Sequence, residues 1–356
     1  MGESQIHSTR KYMIYYMYEK HSNNNFNAGG KARLDVQKIL ESHKDFLPII
    51  YNYSSDNKIT NFKSMLTFFS KCKKIKKGDV LILQNQFMFF RFSFPFIQRL
   101  KKKNIKIVFI IHDLNGLRMN RKKTNWIELK MMDKSYIMIH TDFMKEYILN
   151  SVTPAQYSVL YIFPYLIDCT HKSSEKNFDF CYAGNLSKSA FLHCLPKDLS
   201  TRFCLFGKGD NSLIQQRFFN YGGAYTSDEI PFKLNGKFGL IWDGNSLDGC
   251  VGISNDGINA DYIRFNSPHK FALYISAGIP VICWKKSGIA EFVINNKLGI
   301  TIDSVLELRD FIINDDDYKV LIKNVLEFRK QVISGQLFEQ KLYELLNINS
   351  KKSASV

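Results

Sequence analysis

The chain has 356 residues, 45% hydrophobic and 23% charged, a size and balance that suit a soluble protein of two domains, each with its own core. Its longest apolar runs, such as "IKIVFIIH" from Ile105, fall far short of the ~20 residues that cross a bilayer, so no membrane-spanning helix is expected. The net charge of +16 is lopsided: residues 1–165 hold 27 Lys and Arg against 12 Asp and Glu, while the remainder is nearly balanced at 22 against 21.

Six strands are expected in the first half, over residues 12–18, 47–53, 79–84, 105–112, 135–140 and 157–163, with helical patterns such as "KARLDVQKILESH" from Lys31 between them. The second half repeats the rhythm, with strands over 178–184, 202–207, 237–242, 279–284 and 298–302. Alternating strands and helices predict an α/β fold of two Rossmann-like parallel-sheet domains facing across a cleft. The expected boundaries are 1–165, 166–335 and a C-terminal helix with a disordered tail over 336–356, with the polar stretch Pro164–Asn177 as linker. Ligand-contacting residues of such sheets sit just after the strands.

The N-terminus "MGESQIHSTRKYM" lacks an apolar stretch ending in a cleavage site, and a cytoplasmic location is expected. Seven cysteines (72, 169, 181, 194, 204, 250 and 283) form no CxxC pair and read as reduced, buried thiols, with neither a zinc site nor a disulfide frame. A basic half on a cytoplasmic chain points to an anionic membrane surface or a polyanion. The clusters "KCKKIKKGD", "RLKKKNIK" and "RMNRKK" lie near the aromatic run "FMFFRFSFPF" from Phe87, a pairing that suits a membrane surface at least as well as nucleic acid. No helix-turn-helix or RNA-binding signature is present, so no nucleic-acid partner is expected.

Several strand ends carry candidate chemistry. After the first strand, Gly29 and Gly30 open a helix whose amides could approach a phosphate or a sugar oxygen; without GxGxxG or an acidic ribose reader, a nicotinamide dinucleotide is not expected. After the fourth, "HDLNGLR" places His112 and Asp113 where a general base could act, or where Asp113 caps the next turn over a packed His112. "YAGNLSKSAF" follows a strand with a Gly-Asn turn and Lys188, and "GAYTSDEIP" reads as a helix capped by Thr226 or Ser227. "KFGLIWDGNS" delivers Asp243 at a strand end. In "NSPHKFALYISAGIPVICW", Ser267 or Pro268 starts a helix with Lys270 in its first turn, a cation opposed to the helix dipole unless an anion lies between them. Lys270 with the helix amides would then form a metal-free diphosphate clamp; the alternative is a solvated lysine tolerated at small cost.

With "NAGGKARLD", "HDLNGLR", "YAGNLSK", "FGLIWDGNS", "FNSPHKFALYISAGIPV" and "AEFVINNKLG" in order along the chain, the sequence resembles GT-B glycosyltransferases, specifically the bacterial β-1,6-galactofuranosyltransferases of O-antigen and surface-polysaccharide (lipopolysaccharide) assembly. It is more distantly similar to the cytoplasmic glucosyltransferases that extend glycans on streptococcal adhesins. The resemblance implies inverting transfer from a UDP-sugar, UDP-galactofuranose first, to a hydroxyl of a lipid-linked glycan, with no metal or other cofactor. UDP-glucose is the alternative donor. The resemblance matches Lys270 to the diphosphate, with Ser267 and His269 beside it, Asn185 and Lys188 to the donor-binding turn, and Gly29, Gly30 and Lys31 to the loop near the transferred sugar. Leu273 stands where relatives carry a ribose-binding glutamate, so Glu291 or the Tyr225–Ser227 turn, with Thr226, is expected to replace it. Asp113 is the first choice of base, with His112 and Asp35 behind it; Asp243 is expected on the donor hydroxyls. A peripheral position on the inner face of the membrane is expected, and a homo-oligomer stays open.

Overall fold

The computed structural model describes residues 12–21, 28–53, 58–84, 90–168, 174–209, 211–215, 218–253 and 257–348. The first half contains β1 (Ile14–His21), α1 (Ala28–Ser42), β2 (Phe46–Tyr53), α2 (Lys58–Lys71), β3 (Val80–Gln84), α3 (Phe90–Lys102), β4 (Lys106–Ile110), α4 (Asn115–Arg118), α5 (Lys122–Met132), β5 (Tyr136–Ile139), α6 (Asp142–Leu149) and β6 (Gln156–Val159). The second contains β7 (Phe178–Ala183), α7 (Lys197–Ser200), β8 (Phe203–Phe206), α8 (Asn211–Ile214), β9 (Asn220–Gly223), α9 (Ile230–Lys233), β10 (Gly236–Ile241), α10 (His269–Ser276), β11 (Val281–Trp284), α11 (Ala290–Asn295), β12 (Gly299–Ile302), α12 (Asp315–Ser334) and α13 (Gln336–Leu346).

All eleven expected strands form. The twelfth, β9, is the edge strand "NYGG": two glycines and no apolar alternation leave nothing for a period-2 reading to detect. Both sheets are wholly parallel, ordered β2-β1-β3-β4-β5-β6 and β12-β11-β10-β7-β8-β9. Strands buried on both faces need continuous apolar runs, and β3 (VLILQ) and β8 (FCLF) are buried along their whole length. The second order is the doubly wound pattern, whose switch point lies between β7 and β10, where a crevice opens beyond the strand ends.

On one face of the first sheet, α2, α3, α5 and α6 pack through Met65, Phe68, Ile97, Leu100, Leu129 and Ile148. On the other, α1 shares its core with α13, whose Phe338, Leu342 and Leu345 join Val36, Val80 and Val108. The chain therefore crosses back to the first sheet at its end: Gly335 takes φ +77° between α12 and α13, so the turn is one an L side chain would strain. The tail expected to be disordered and the run Phe87–Phe89 lie outside the described residues.

Candidate functional site

Struts join the two sheets on one side of the cleft. Ser267 donates its backbone N–H to His140 Nδ1 at 3.0 Å and its hydroxyl to the Tyr161 carbonyl, while Thr141 Oγ1 donates to the Phe265 carbonyl at 2.7 Å. The Leu114 N–H reaches the Tyr262 hydroxyl at 2.8 Å, and the Tyr165 hydroxyl reaches the Ser227 carbonyl at 2.6 Å. Ser267, expected at the donor, thus acts as a support for the His140 ring.

At the switch point, Pro268 caps α10 and Lys270 is the second residue of the helix, as expected. Its ammonium donates to Tyr182 Oη at 2.7 Å and to Asp243 Oδ1 at 3.3 Å, and it lies 4.4 Å from the Tyr182 ring centroid. Burial alone would push this lysine down; Asp243 and Tyr182 reverse that and hold it above its usual range, so it is charged at any working pH. The anion beside Lys270 that offsets the dipole misfit is therefore Asp243, whose side chain is 46% exposed and can exchange partners. Asp243 and Lys270 form one unit, where the sequence suggested separate tasks.

The turn after β7 is shaped by glycines. A Cβ on Gly184 would sit 3.0 Å from Lys270 Cε, and one on Gly207, at φ +134°, would sit 1.8 Å from the Gly184 carbonyl oxygen. Gly207→Ala is therefore expected to destabilise the fold by about 2–3 kcal/mol, read as a lower urea midpoint at unchanged slope; wild-type stability would refute the close packing of this turn. Asn185 accepts from the Ser187 N–H and caps the 3-10 turn Leu186–Lys188, which leaves Asn185 and Lys188 at the surface beside Gly184.

On the facing wall, Gly29 and Gly30 fall inside α1, which begins at Ala28, and Lys31 is buried. Its ammonium donates to Asp35 Oδ1 at 2.9 Å, to Asp228 Oδ1 at 2.7 Å and to the Leu166 carbonyl at 2.6 Å. Asp35 is fully buried with its second oxygen taken by the Leu166 N–H at 2.9 Å; burial raises its pKa to about 6 against the pull of Lys31. Both of its oxygens being engaged, Asp35 joins the domains and is not presented as a base. Thr226 receives the Glu229 N–H and donates its hydroxyl to the Glu229 carboxylate at 2.8 Å, so the expected cap forms over one turn before the short α9. Tyr225 is partly exposed, with Lys233 5.7 Å from its ring centroid. Glu291 is exposed in the first turn of α11, next to Phe292, which stacks on Tyr161 at 4.5 Å.

Three imidazoles lie between these walls. His112 shares a 2.8 Å hydrogen bond through Nε2 with Gln84 Oε1 and stacks on Phe163 at 5.0 Å. Because the Gln84 amide nitrogen donates to the Arg33 carbonyl, its oxygen faces the imidazole, which makes Nε2–H the donor and leaves Nδ1 basic. His140 accepts at Nδ1 and donates from Nε2 to the Ile111 carbonyl at 2.6 Å. His269 rests 5.0 Å from the Tyr165 ring with Nε2 buried and unpartnered. Burial lowers all three; Arg33 adds to the effect on His112, and Lys31 to that on His269, whose pKa falls to about 3. Neutral rings stand beside buried Lys31 and Arg33, whose charges are offset by Asp35 and Asp228 and by Glu19 at 3.1 Å, while Arg33 Nη2 is buried and unpartnered. Arg33, His140 and Tyr182 were not singled out in the sequence; Arg33 lies two residues past the Gly-Gly-Lys run, the one signal that could have found it.

Asp113 is held by Arg118 at 2.8 Å and partly exposed after β4. Glu128, buried on α5, receives the N–H groups of Asn115 and Gly116 and so caps α4 in the place expected for Asp113. Burial raises the Glu128 pKa to about 7 from the usual 4.5 despite these bonds. The folded state then holds this proton more tightly, a stabilisation complete below pH 4.5 and lost as pH rises toward 7, about 3 kcal/mol at most. Glu128→Gln cannot titrate, so the melting temperature of wild type minus variant is expected to fall between pH 4.5 and 7.5; a constant difference would contradict a proton-binding Glu128. Among the described residues, no group of three or more His, Cys, Asp or Glu is placed to hold a metal.

Residues 11–156 match the family model of the glucosyltransferase 3-like N-terminal domain, and residues 180–345 that of the glucosyltransferase 3-like C-terminal domain. The chain is 29% identical to the β-1,6-galactofuranosyltransferase WbbI of Escherichia coli (strain K12), over 90% of this chain and 94% of that one. It is 23% identical to glucosyltransferase 3 of Streptococcus gordonii, over 70% and 74% of the two chains. A sucrose-phosphate synthase from Thermosynechococcus elongatus shares the fold with a TM-score of 0.63 at 9% identity, over 95% of this chain and 99% of that one. Both halves being matched and the two parallel sheets being those of the GT-B fold, the chain belongs to the glucosyltransferase 3-like family of glycosyltransferases.

Proposed function

We propose that the chain moves galactofuranose from UDP-galactofuranose to a hydroxyl of a lipid-linked glycan in surface-polysaccharide assembly, with inversion and without a metal ion. The observation that carries this reading is Lys270, a fully charged ammonium at the first turn of α10 in the switch-point crevice, with an exchangeable counter-ion in Asp243. A UDP diphosphate satisfies the ammonium and the helix amides together. The galactofuranosyltransferase named above, similar over nearly the full length of both chains, supports the choice of sugar.

The base takes the acceptor proton as the hydroxyl oxygen bonds to the anomeric carbon. The bond from that carbon to the β-phosphate oxygen breaks, and UDP leaves with the electron pair. Lys270 and the unpartnered Nη2 of Arg33 would meet the negative charge that develops on the leaving group. Asp113 is the proposed base, with His112 Nδ1 behind it, and Asn185 and Lys188 border the donor on the turn after β7. Leu273 is buried in α10, so the ribose falls to Glu291 or the Tyr225–Ser227 turn.

A second reading, transfer of glucose from UDP-glucose, is supported by the names of both matched domains and of the streptococcal relative. The test of inversion and metal independence is the anomeric configuration of the product by NMR, with EDTA present. A β-linked furanoside formed at an undiminished rate is expected; an α-linked product, or loss of turnover in EDTA, would overturn the mechanism.

A further inference from the structure

The outer layer of the first sheet carries a surface the transfer reaction does not use. Helices α2, α3 and α5 together hold ten Lys and Arg and a single acid, Glu128, which is buried under α4. Among these cations Lys101 is turned inward, donating to the Met131 and Asp133 carbonyls at 2.6 Å, whereas Lys63, Arg99, Lys122, Lys123 and Lys130 are exposed.

Apolar side chains stand among them. Ile59 is 69% exposed, Leu66 46%, Phe92 47% and Trp126 56%. On α2 the residues Ile59, Phe62, Leu66 and Phe69 follow helical spacing and form a second stripe beside the buried Met65 and Phe68. The stripe continues across the layer: Phe62 meets Phe92 edge-on at 5.0 Å, Phe69 stacks on Phe96 at 3.7 Å, and Phe94 approaches Trp126 at 6.4 Å. One aromatic ridge therefore spans α2, α3 and α5, flanked by cations without a surface acid on these helices.

We propose that this α2–α3–α5 face docks on an anionic lipid bilayer, with Trp126, Phe92, Leu66 and Ile59 entering the headgroup boundary and the surrounding lysines meeting lipid phosphates. Such a face combines apolar insertion with charge attraction, and neither alone holds a protein at a membrane. Nucleic acid fits less well, because the rings are packed against one another instead of standing as separate platforms, and aliphatic Ile59 and Leu66 offer no stacking surface. A second copy of the chain fits less well too, because a two-fold contact would set two cationic faces together. The proposal is independent of the donor sugar.

Trp126 makes the test direct, because the other two tryptophans, Trp242 and Trp284, are buried. With the full chain and vesicles of 70:30 phosphatidylcholine and phosphatidylglycerol, its emission is expected to shift to the blue and to be quenched by bromolipid. Pure phosphatidylcholine is expected to have no such effect. In co-sedimentation, Phe92→Ser/Trp126→Ser and, separately, Lys122→Glu/Lys123→Glu/Lys130→Glu should each lose tenfold or more in vesicle affinity. Turnover on a soluble acceptor should stay at the wild-type level in both, which separates this surface from the catalytic reading. Unchanged vesicle binding in both variants, no binding by wild type, or displacement from vesicles by an equal charge of oligonucleotide would overturn the proposal.

Discussion

Lys270→Ala is expected to weaken UDP binding tenfold to a hundredfold while leaving the melting temperature within a few degrees of wild type. The two halves of that expectation have separate causes. A charge-assisted hydrogen bond to phosphate in a partly desolvated crevice contributes roughly 1.5–3 kcal/mol, and each 1.4 kcal/mol is a factor of ten. Stability changes little because the lysine sits at the unfavourable end of the α10 dipole, and the Asp243 carboxylate it leaves behind is half-exposed and returns to water. Asp243→Asn should behave oppositely at the donor, keeping or improving UDP affinity by removing the competing anion. Calorimetric titration with UDP reads both; unchanged affinity in Lys270→Ala would place the diphosphate elsewhere.

Asp113→Asn is expected to lower turnover by about 10²–10⁴-fold with UDP affinity kept, the range in which a positioned general base acts. Asp113 follows β4 on the cleft side, and Arg118, whose carbonyl also accepts from the Asn259 N–H, fixes its direction. That ion pair holds one carboxylate oxygen at 2.8 Å and so sets how the carboxylate is aimed. Arg118→Ala should therefore lower kcat while leaving UDP affinity and the melting temperature near wild type, a split that a merely structural Arg118 would not produce. Near-normal turnover in Asp113→Asn would transfer the role to His112, whose Nδ1 is the free basic nitrogen of the Gln84-bound ring.

The architecture was legible because parallel strands covered on both faces must be apolar throughout, and β3, β8 and β11 announce themselves that way. Edge strand β9 did not, since half of its residues are glycine. Lys270 was legible from one local rule, a cation at the wrong end of a helix. Its partners were not: Tyr182 and Asp243 lie 88 and 27 residues away, and only the closing of the sheet brings β7 beside β10. The same holds for Lys31, whose pairing with Asp228 spans 197 residues and converts an expected donor contact into a joint between domains. Asp35 follows from that joint, for this carboxylate, ranked behind Asp113 and His112 as a base, has its oxygens filled by Lys31 and Leu166. His112 and Asp113 were placed correctly after β4, but the cap of the next turn comes from Glu128, twelve residues past Gly116.

A competition in one tube decides the donor most directly. The protein is given equal amounts of unlabelled UDP-galactofuranose and carbon-13-labelled UDP-glucose with a synthetic α-glucoside acceptor, and the product is weighed by mass spectrometry. The proposed galactofuranosyl transfer predicts product of the unlabelled mass, formed with release of UDP. Product carrying the heavy hexose alone would contradict it and establish glucosyl transfer in its place.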